Sequence, residues 1–216
     1  MRRALAVFAA VLLAACGSLP ETADPASDAP EGARPAVGAY KDADSYSQAL
    51  QVWRAPEDVN TWIGAKFRYD MPRAMLLSET QRGKSGRLPI HSAPEFFADP
   101  SGICVDLSRF AVETLRTIAP EADARYVKIE FAPVSIGGNT LRLHWLAAFK
   151  RDGKLYFFAD SKRPGHLAGP YASLDEFMAE YAAYRNRPIM SYAALDSYQR
   201  KQRTLAAKQD RPNLAP

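Results

Sequence analysis

The chain is poor in thiols, imidazoles and long apolar runs. Its 216 residues hold only two cysteines and three histidines. Two cysteines exclude a disulfide-stapled scaffold, and no Cys or His pair has zinc-ligand spacing. The apolar run from Ala4 to Ala15 is too short to span a bilayer comfortably. Neither sign of charge dominates: 28 basic residues face 24 acidic ones, a net of +4. Part of that excess is a tail effect, with Arg200, Lys201, Arg203, Lys208 and Arg211 set against Asp210. Such a tail reads as solvated, with contact to anionic lipid or wall polymer as the sharper alternative. Nothing resembles a nucleic-acid module, and no internal repeat is visible.

What is present begins with a compartment signal. "MRRALAVFAAVLLAACGS" has Arg2 and Arg3 before the apolar run and Cys16 after it. A short positive region ahead of a short apolar one is a secretion signal. Leu13-Ala14-Ala15-Cys16 resembles a bacterial lipobox, which implies cleavage after residue 15 and lipidation of Cys16. An ordinary signal peptide with an incidental cysteine is the alternative. Several acyl chains on one residue give a stable membrane anchor. Gly17 in place of Asp, by analogy with enterobacterial lipoproteins, implies the outer membrane facing the periplasm. The expected organisation is a lipoprotein signal peptide at 1–15 and a Pro-rich tether at 16–43. One domain follows at 44–195, with a basic tail at 196–216. Prolines at 20, 25, 30 and 35 among small and acidic residues leave the tether too little apolar surface to order itself.

Within the domain, "DADSYSQALQVWRA" and "PEDVNTWIGAKF" carry caps and apolar spacing for two helices. A long Pro-, Gly- and Ser-rich stretch with short helical islands follows. Cys104 to Ile118 is the strongest helix signal, with Val105, Leu107, Phe110, Ala111, Thr114 and Leu115 making a broad apolar face. The period then changes to two in "ARYVKIEFAPV", "TLRLHWLAAFK" and "KLYFFAD", three strands in a meander. "ASLDEFMAEYAAYR" closes the domain as a C-terminal helix capped by Ser173. Helices, one strong helix, a meander and a helix make an α+β fold.

Lipidation of Cys16 leaves Cys104 without an intrachain partner. Its place at a helix start puts backbone N–H groups and the helix dipole beside it, which lowers a thiol pKa from about 8.5 and offers half of an oxyanion hole. The bland alternative is a small buried hydrophobe. A thiol nucleophile needs a base, and the base needs an orienter. His91 and His166 lie among prolines and glycines and read as surface residues. His144 lies inside an apolar strand and must satisfy its ring nitrogens there. With a three-residue loop at Arg151-Asp152-Gly153, His144 falls directly across from Asp160. With a two-residue loop it faces Ser161. Large-against-small pairing, Trp145 on Ala159 and Ala147 on Phe157, favours the three-residue loop and its register.

"APEFFADPSGICVDLSRFAVETLR", "LHWLAAF" and "LYFFAD" together resemble the transglutaminase-like superfamily of papain-type cysteine enzymes, over roughly residues 57 to 162. Its Gly-x-Cys-x-Asp motif falls on Gly102, Cys104 and Asp106, its strand histidine on His144-Trp145, and its strand-end acid on Asp160. The resemblance implies a papain/transglutaminase-like core and a Cys104–His144–Asp160 triad acting on amide bonds as peptidase, amidase or acyltransferase. Its substrate would be an envelope protein or a cell-wall peptide. It also implies Trp62 as a candidate second oxyanion donor, whose alternative is core packing. No cofactor is expected, calcium near Asp106 aside. One departure stands out: Ile103 occupies the position where many relatives carry an acid. The second function class is a non-catalytic binding lipoprotein of this fold, serving envelope assembly or adhesion. No feature sets the oligomeric state.

Overall fold

The computed structural model describes residues 39–82 and 88–199. The signal segment, Cys16 and nearly all of the expected tether and tail lie outside these residues. Three short helices lead in: α1 (Tyr46–Val52), α2 (Pro56–Lys66) and, after strand β1 (Arg68–Tyr69), α3 (Met71–Leu76). Each begins on a recognisable cap or proline. Ser45 accepts the Gln48 N–H, Pro56 opens α2, and Asp70 accepts the Arg73 N–H. Helices α4 (Glu79–Arg82) and α5 (Ala93–Ala98) are the islands of the Pro-rich stretch, and Ser92 with Glu95 forms a reciprocal capping box on α5.

Strand β2 (Ser101–Gly102) pairs in parallel with β1 and feeds directly into α6 (Cys104–Ile118), the helix expected from the sequence at the same bounds. Strands β3 (Arg125–Ile136), β4 (Asn139–Arg151) and β5 (Lys154–Phe158) form the meander. Two further strands complete the sheet: β6 (Ala168–Tyr171), and β7 (Ile189–Leu195), which follows helix α7 (Leu174–Arg185). The antiparallel order is β6-β5-β4-β3-β7. The expected α+β fold is therefore present, but α7 is not its last element. Strand β7 was not expected because it is an edge strand with most of its side chains outside the core, so it lacks alternation.

The sheet has two buried faces. On one, Leu107, Phe110, Ala111 and Leu115 of α6 pack with α1, α2 and α5 against Tyr126, Trp145, Ala147 and Phe149. On the other, Phe177, Met178 and Tyr181 of α7 pack against Val127, Ile129, Phe131, Leu146 and Ala148. Successive residues of β4 thus serve opposite layers, as a strand's two-residue period requires. Residues 40–43, expected in the tether, belong to the fold: Tyr40 and Ala43 pack on the first cluster, and the Trp53 indole donates to the Lys41 carbonyl. At the other end, Arg116 holds the Asp196 carbonyl and Arg109 lies over the Tyr198 ring. No helix among the described residues is long and apolar enough to cross a membrane.

Phe110 is the hub of the first layer, with ring centroids of Trp62 at 4.9 Å and Phe96 at 5.1 Å. Phe110→Ala is expected to cost about 3–5 kcal/mol of stability, read from the midpoint of urea unfolding.

Candidate active site

The Gly-x-Cys-x-Asp motif has a steric reason. Asp106, at the third position of α6, folds back and accepts the Ile103 N–H at 3.1 Å. A Cβ on Gly102 would sit 2.9 Å from Asp106 Cβ and 3.2 Å from the Phe96 ring, so only glycine admits that carboxylate. Asp106 is fully buried and accepts three more N–H groups: Arg73 Nε at 2.7 Å, Arg73 Nη2 at 2.9 Å and the His91 backbone at 2.9 Å. Arg73 is brought there by the β1–β2 pairing, which sets the starts of α3 and α6 side by side.

Cys104 is the first residue of α6 and is in no disulfide. It lines a cleft of about 990 Å³ with Ile103, Leu143, Trp145, Leu88 and Ile90. The cleft wall is mainly apolar. Arg142 is paired there with Glu79, and Arg109 with Glu113.

His144 and Asp160 do meet, but not by the expected register. The β4–β5 loop is the two residues Asp152-Gly153, both left-handed at φ 51° and 71°, with Arg151 opposite Lys154 and Ala147 opposite Phe158. That turn matches the twist of the flanking strands, which a longer loop would not improve. Large-against-small pairing could not discriminate, because Ala147 with Phe158 and Ala148 with Phe157 satisfy it equally well. Continued regularly, this register would send Asp160 to the wrong face. Instead β5 ends at Phe158, and Ala159 takes φ 57°, turning the chain so that Asp160 Oδ1 lies 3.0 Å from His144 Nε2.

The dyad has a third member. Tyr181 of α7 donates its hydroxyl to Asp160 Oδ2 at 2.8 Å, lies 3.0 Å from His144 Nε2, and accepts from Arg185 Nη1 at 3.2 Å. Asp160 Oδ1 also accepts the Lys162 N–H. Burial pushes the Asp160 pKa up. The His144 hydrogen bond and charge, with Arg185 and Arg163, outweigh it and hold the carboxyl well below the usual range. Burial and the Asp160 charge push the Tyr181 hydroxyl well above its ordinary value, so it stays a donor. Because Nε2 faces a carboxylate that only accepts, the hydrogen-bond network assigns the ring proton to Nε2. Nδ1 is then the basic nitrogen, buried and without a hydrogen-bond partner.

Helix α6 is fixed along β4 by the Ser108 hydroxyl, which donates to the Leu146 carbonyl at 3.0 Å. Cys104 lies one helical turn before Ser108, and His144 two strand residues before Leu146, distances of about 5–6 Å and 7 Å along the two elements. Asp123, between α6 and β3, pairs with Lys150 of β4. The side chains differ in face: Cys104 packs with Trp145, whereas the fully buried His144 ring lies by Phe131 and Tyr181 under α7 and does not line the cleft.

Trp62 is not at the site. It stacks on Phe97 at 4.9 Å and sits in the aromatic core, because α2 turns its apolar face to α6; the tryptophan that lines the cleft is Trp145. Calcium at Asp106 does not fit either. Every acceptor position of that carboxylate is taken by an N–H group, and the Arg73 guanidinium would repel a cation. No group of three His, Cys, Asp or Glu among the described residues could hold a metal. His166 is exposed as expected, while His91 is half-buried with its backbone on Asp106.

No protein-family profile matches the chain, and no curated protein matches it. Among solved structures, calcium-bound LapG of Legionella pneumophila is similar over 69% of this chain and 71% of its own, at 16% identity and a TM-score of 0.38. At that level no residue role transfers.

Two outcomes test this geometry. Gly102→Ala is expected to displace Asp106 and cost about 1–3 kcal/mol, read by thermal unfolding. Asp160→Asn is expected to cost about 3–5 kcal/mol at neutral pH. Since the folded carboxyl is held low, that stabilisation is fully present above the unfolded value of about 4 and is lost as pH falls below it. The difference between wild type and Asp160→Asn in urea unfolding should stay constant from about pH 7 to 5 and shrink below about pH 4.

Proposed function

We propose that this chain is a thiol enzyme of the transglutaminase-like kind, acting on amide bonds. Cys104 attacks the carbonyl, and His144, held by Asp160 and Tyr181, is the base. Because its ring lies on the α7 side of β4, taking the thiol proton and returning it to the leaving amine requires the imidazole to move to the cleft side. The observation that carries this reading is His144 itself. Its Nε2 is committed to Asp160 and Tyr181 and its Nδ1 is buried without a hydrogen-bond partner, while the chain's other candidate, Cys104, opens a helix. The first turn of α6 supplies N–H groups that the helix cannot satisfy and that suit a developing oxyanion. Attack forms the C–S bond of a tetrahedral intermediate, whose collapse expels the amine and leaves a thioester. Water or a second amine then resolves it, giving peptidase or acyltransferase chemistry.

The sequence supports the setting. The signal segment and Cys16 suit a lipid-anchored protein of the outer membrane facing the periplasm, with an envelope protein or a cell-wall peptide as substrate. The apolar wall around Cys104 suits a peptide with bulky aliphatic or aromatic side chains beside the scissile bond. Proteolysis of an envelope protein is the preferred form.

One observation favours a second reading, a non-catalytic binding lipoprotein that uses the same cleft. His144 is fully buried on the α7 side of β4, whereas Cys104 opens on the cleft.

Alkylation separates the two. At neutral pH iodoacetamide is expected to modify Cys104, located by peptide mass mapping, faster than it modifies a free thiol. His144→Gln should slow that reaction by about tenfold or more, the scale of a lost acid–base partner. A Cys104 that reacts no faster than a free thiol, and equally fast in His144→Gln, would leave only the binding reading.

A further inference from the structure

Arg73 makes contacts out of proportion to its place in the short helix α3. It is nearly buried, and Asp106 is fully so. Nε and Nη2 of Arg73 reach the two oxygens of Asp106 separately, at 2.7 and 2.9 Å, and Nη2 also reaches the Pro89 carbonyl at 2.5 Å. Asp106 in turn holds the Ile103 N–H at the head of α6 and the His91 N–H. One ion pair thus joins α3, the segment at residues 88–91 and the start of α6. Leu88, Pro89, Ile90, Ile103 and Cys104 from these pieces all face the cleft. Asp70 fixes the root of the pair by capping α3 through the Arg73 N–H at 2.9 Å.

A divalent cation could perform the same task, neutralising Asp106 and collecting a backbone carbonyl beside it. A guanidinium performs it with fixed direction and without exchange, since its planar fork matches a carboxylate and leaves further donors for a carbonyl. We infer that Arg73 is a built-in cation and a positioning residue. It clamps the 88–91 wall of the cleft to the helix that carries Cys104, and it makes the site independent of calcium. The inference deepens the thiol-enzyme reading by naming what sets the width of its cleft, but its test needs no catalysis.

Two measurements decide it. First, thermal unfolding of the wild-type chain is expected at the same temperature in calcium as in a calcium chelator. A rise with calcium would overturn the inference. Second, Cys104 is labelled with iodoacetamide and with a bulky maleimide, and the ratio of the two rates is compared between variants. Arg73→Met is expected to lower the unfolding temperature by roughly 10 °C. It should also raise the bulky-to-small ratio severalfold, because the wall is released. An unchanged ratio in folded Arg73→Met would show Arg73 to be merely stabilising. If Arg73→Met does not fold, Arg73→Lys takes its place. It keeps the charge but cannot bridge both oxygens and the carbonyl, so its ratio should still exceed the wild-type value, and equality would overturn the clamp. Slow labelling by both reagents in the wild type would count against the thiol enzyme alone, leaving the ratio readable.

Discussion

A carboxylate shut away from water has to be given donors, and Asp160 shows how much of a fold that need can organise. Its oxygens collect the imidazole of β4, a backbone N–H from the loop after β5 and a hydroxyl from α7. Each of these comes from a different segment, so the carboxylate sits where the meander, its outgoing loop and the covering helix must agree. An unpaired buried charge would cost several kcal/mol, and a paired one with filled acceptor sites is tolerated. The left-handed turn at Ala159 is the local concession that allows it. Alanine in that region costs roughly 1–2 kcal/mol, which the bonds made by Asp160 offset.

Asp106 meets the same constraint by other means. It lies on the opposite side of the sheet, beside the cysteine, and takes its countercharge from an arginine and its remaining donors from backbone. The two carboxylates bracket the ends of the proposed chemistry, one at the thiol and one at the imidazole. Neither is a solvent-exposed pair of the kind whose strength fades in salt.

Much of the frame could be read from residue order. Helix α6 announced itself through its apolar face and its closing Pro120, and the meander through alternation in "ARYVKIEF" and "LHWLAAF". Pairing of His144 with Asp160 was also legible, although the route to it was not. Register choice rested on side-chain size, whereas turn geometry at Asp152-Gly153 and one left-handed alanine decided it. Tyr181 shares its helix with Phe177 and Met178 at core spacing, so the sequence marked it as buried without showing that its hydroxyl had a partner. Arg73 left no signal at all, because a loop arginine reads as solvated until the chain folds a carboxylate onto it. Trp62 carried the opposite error: a family role was suggested for a ring whose helix simply packs it.

Strand β4 is finally a wall with two rooms. Trp145 faces the cleft and His144 faces the α7 side, and they share one peptide bond. A ligand that displaced the backbone at Trp145, and not just its ring, would move the strand that carries the imidazole as well, because the two residues share a peptide unit. The two rooms are thus joined through the strand itself and not through a loop.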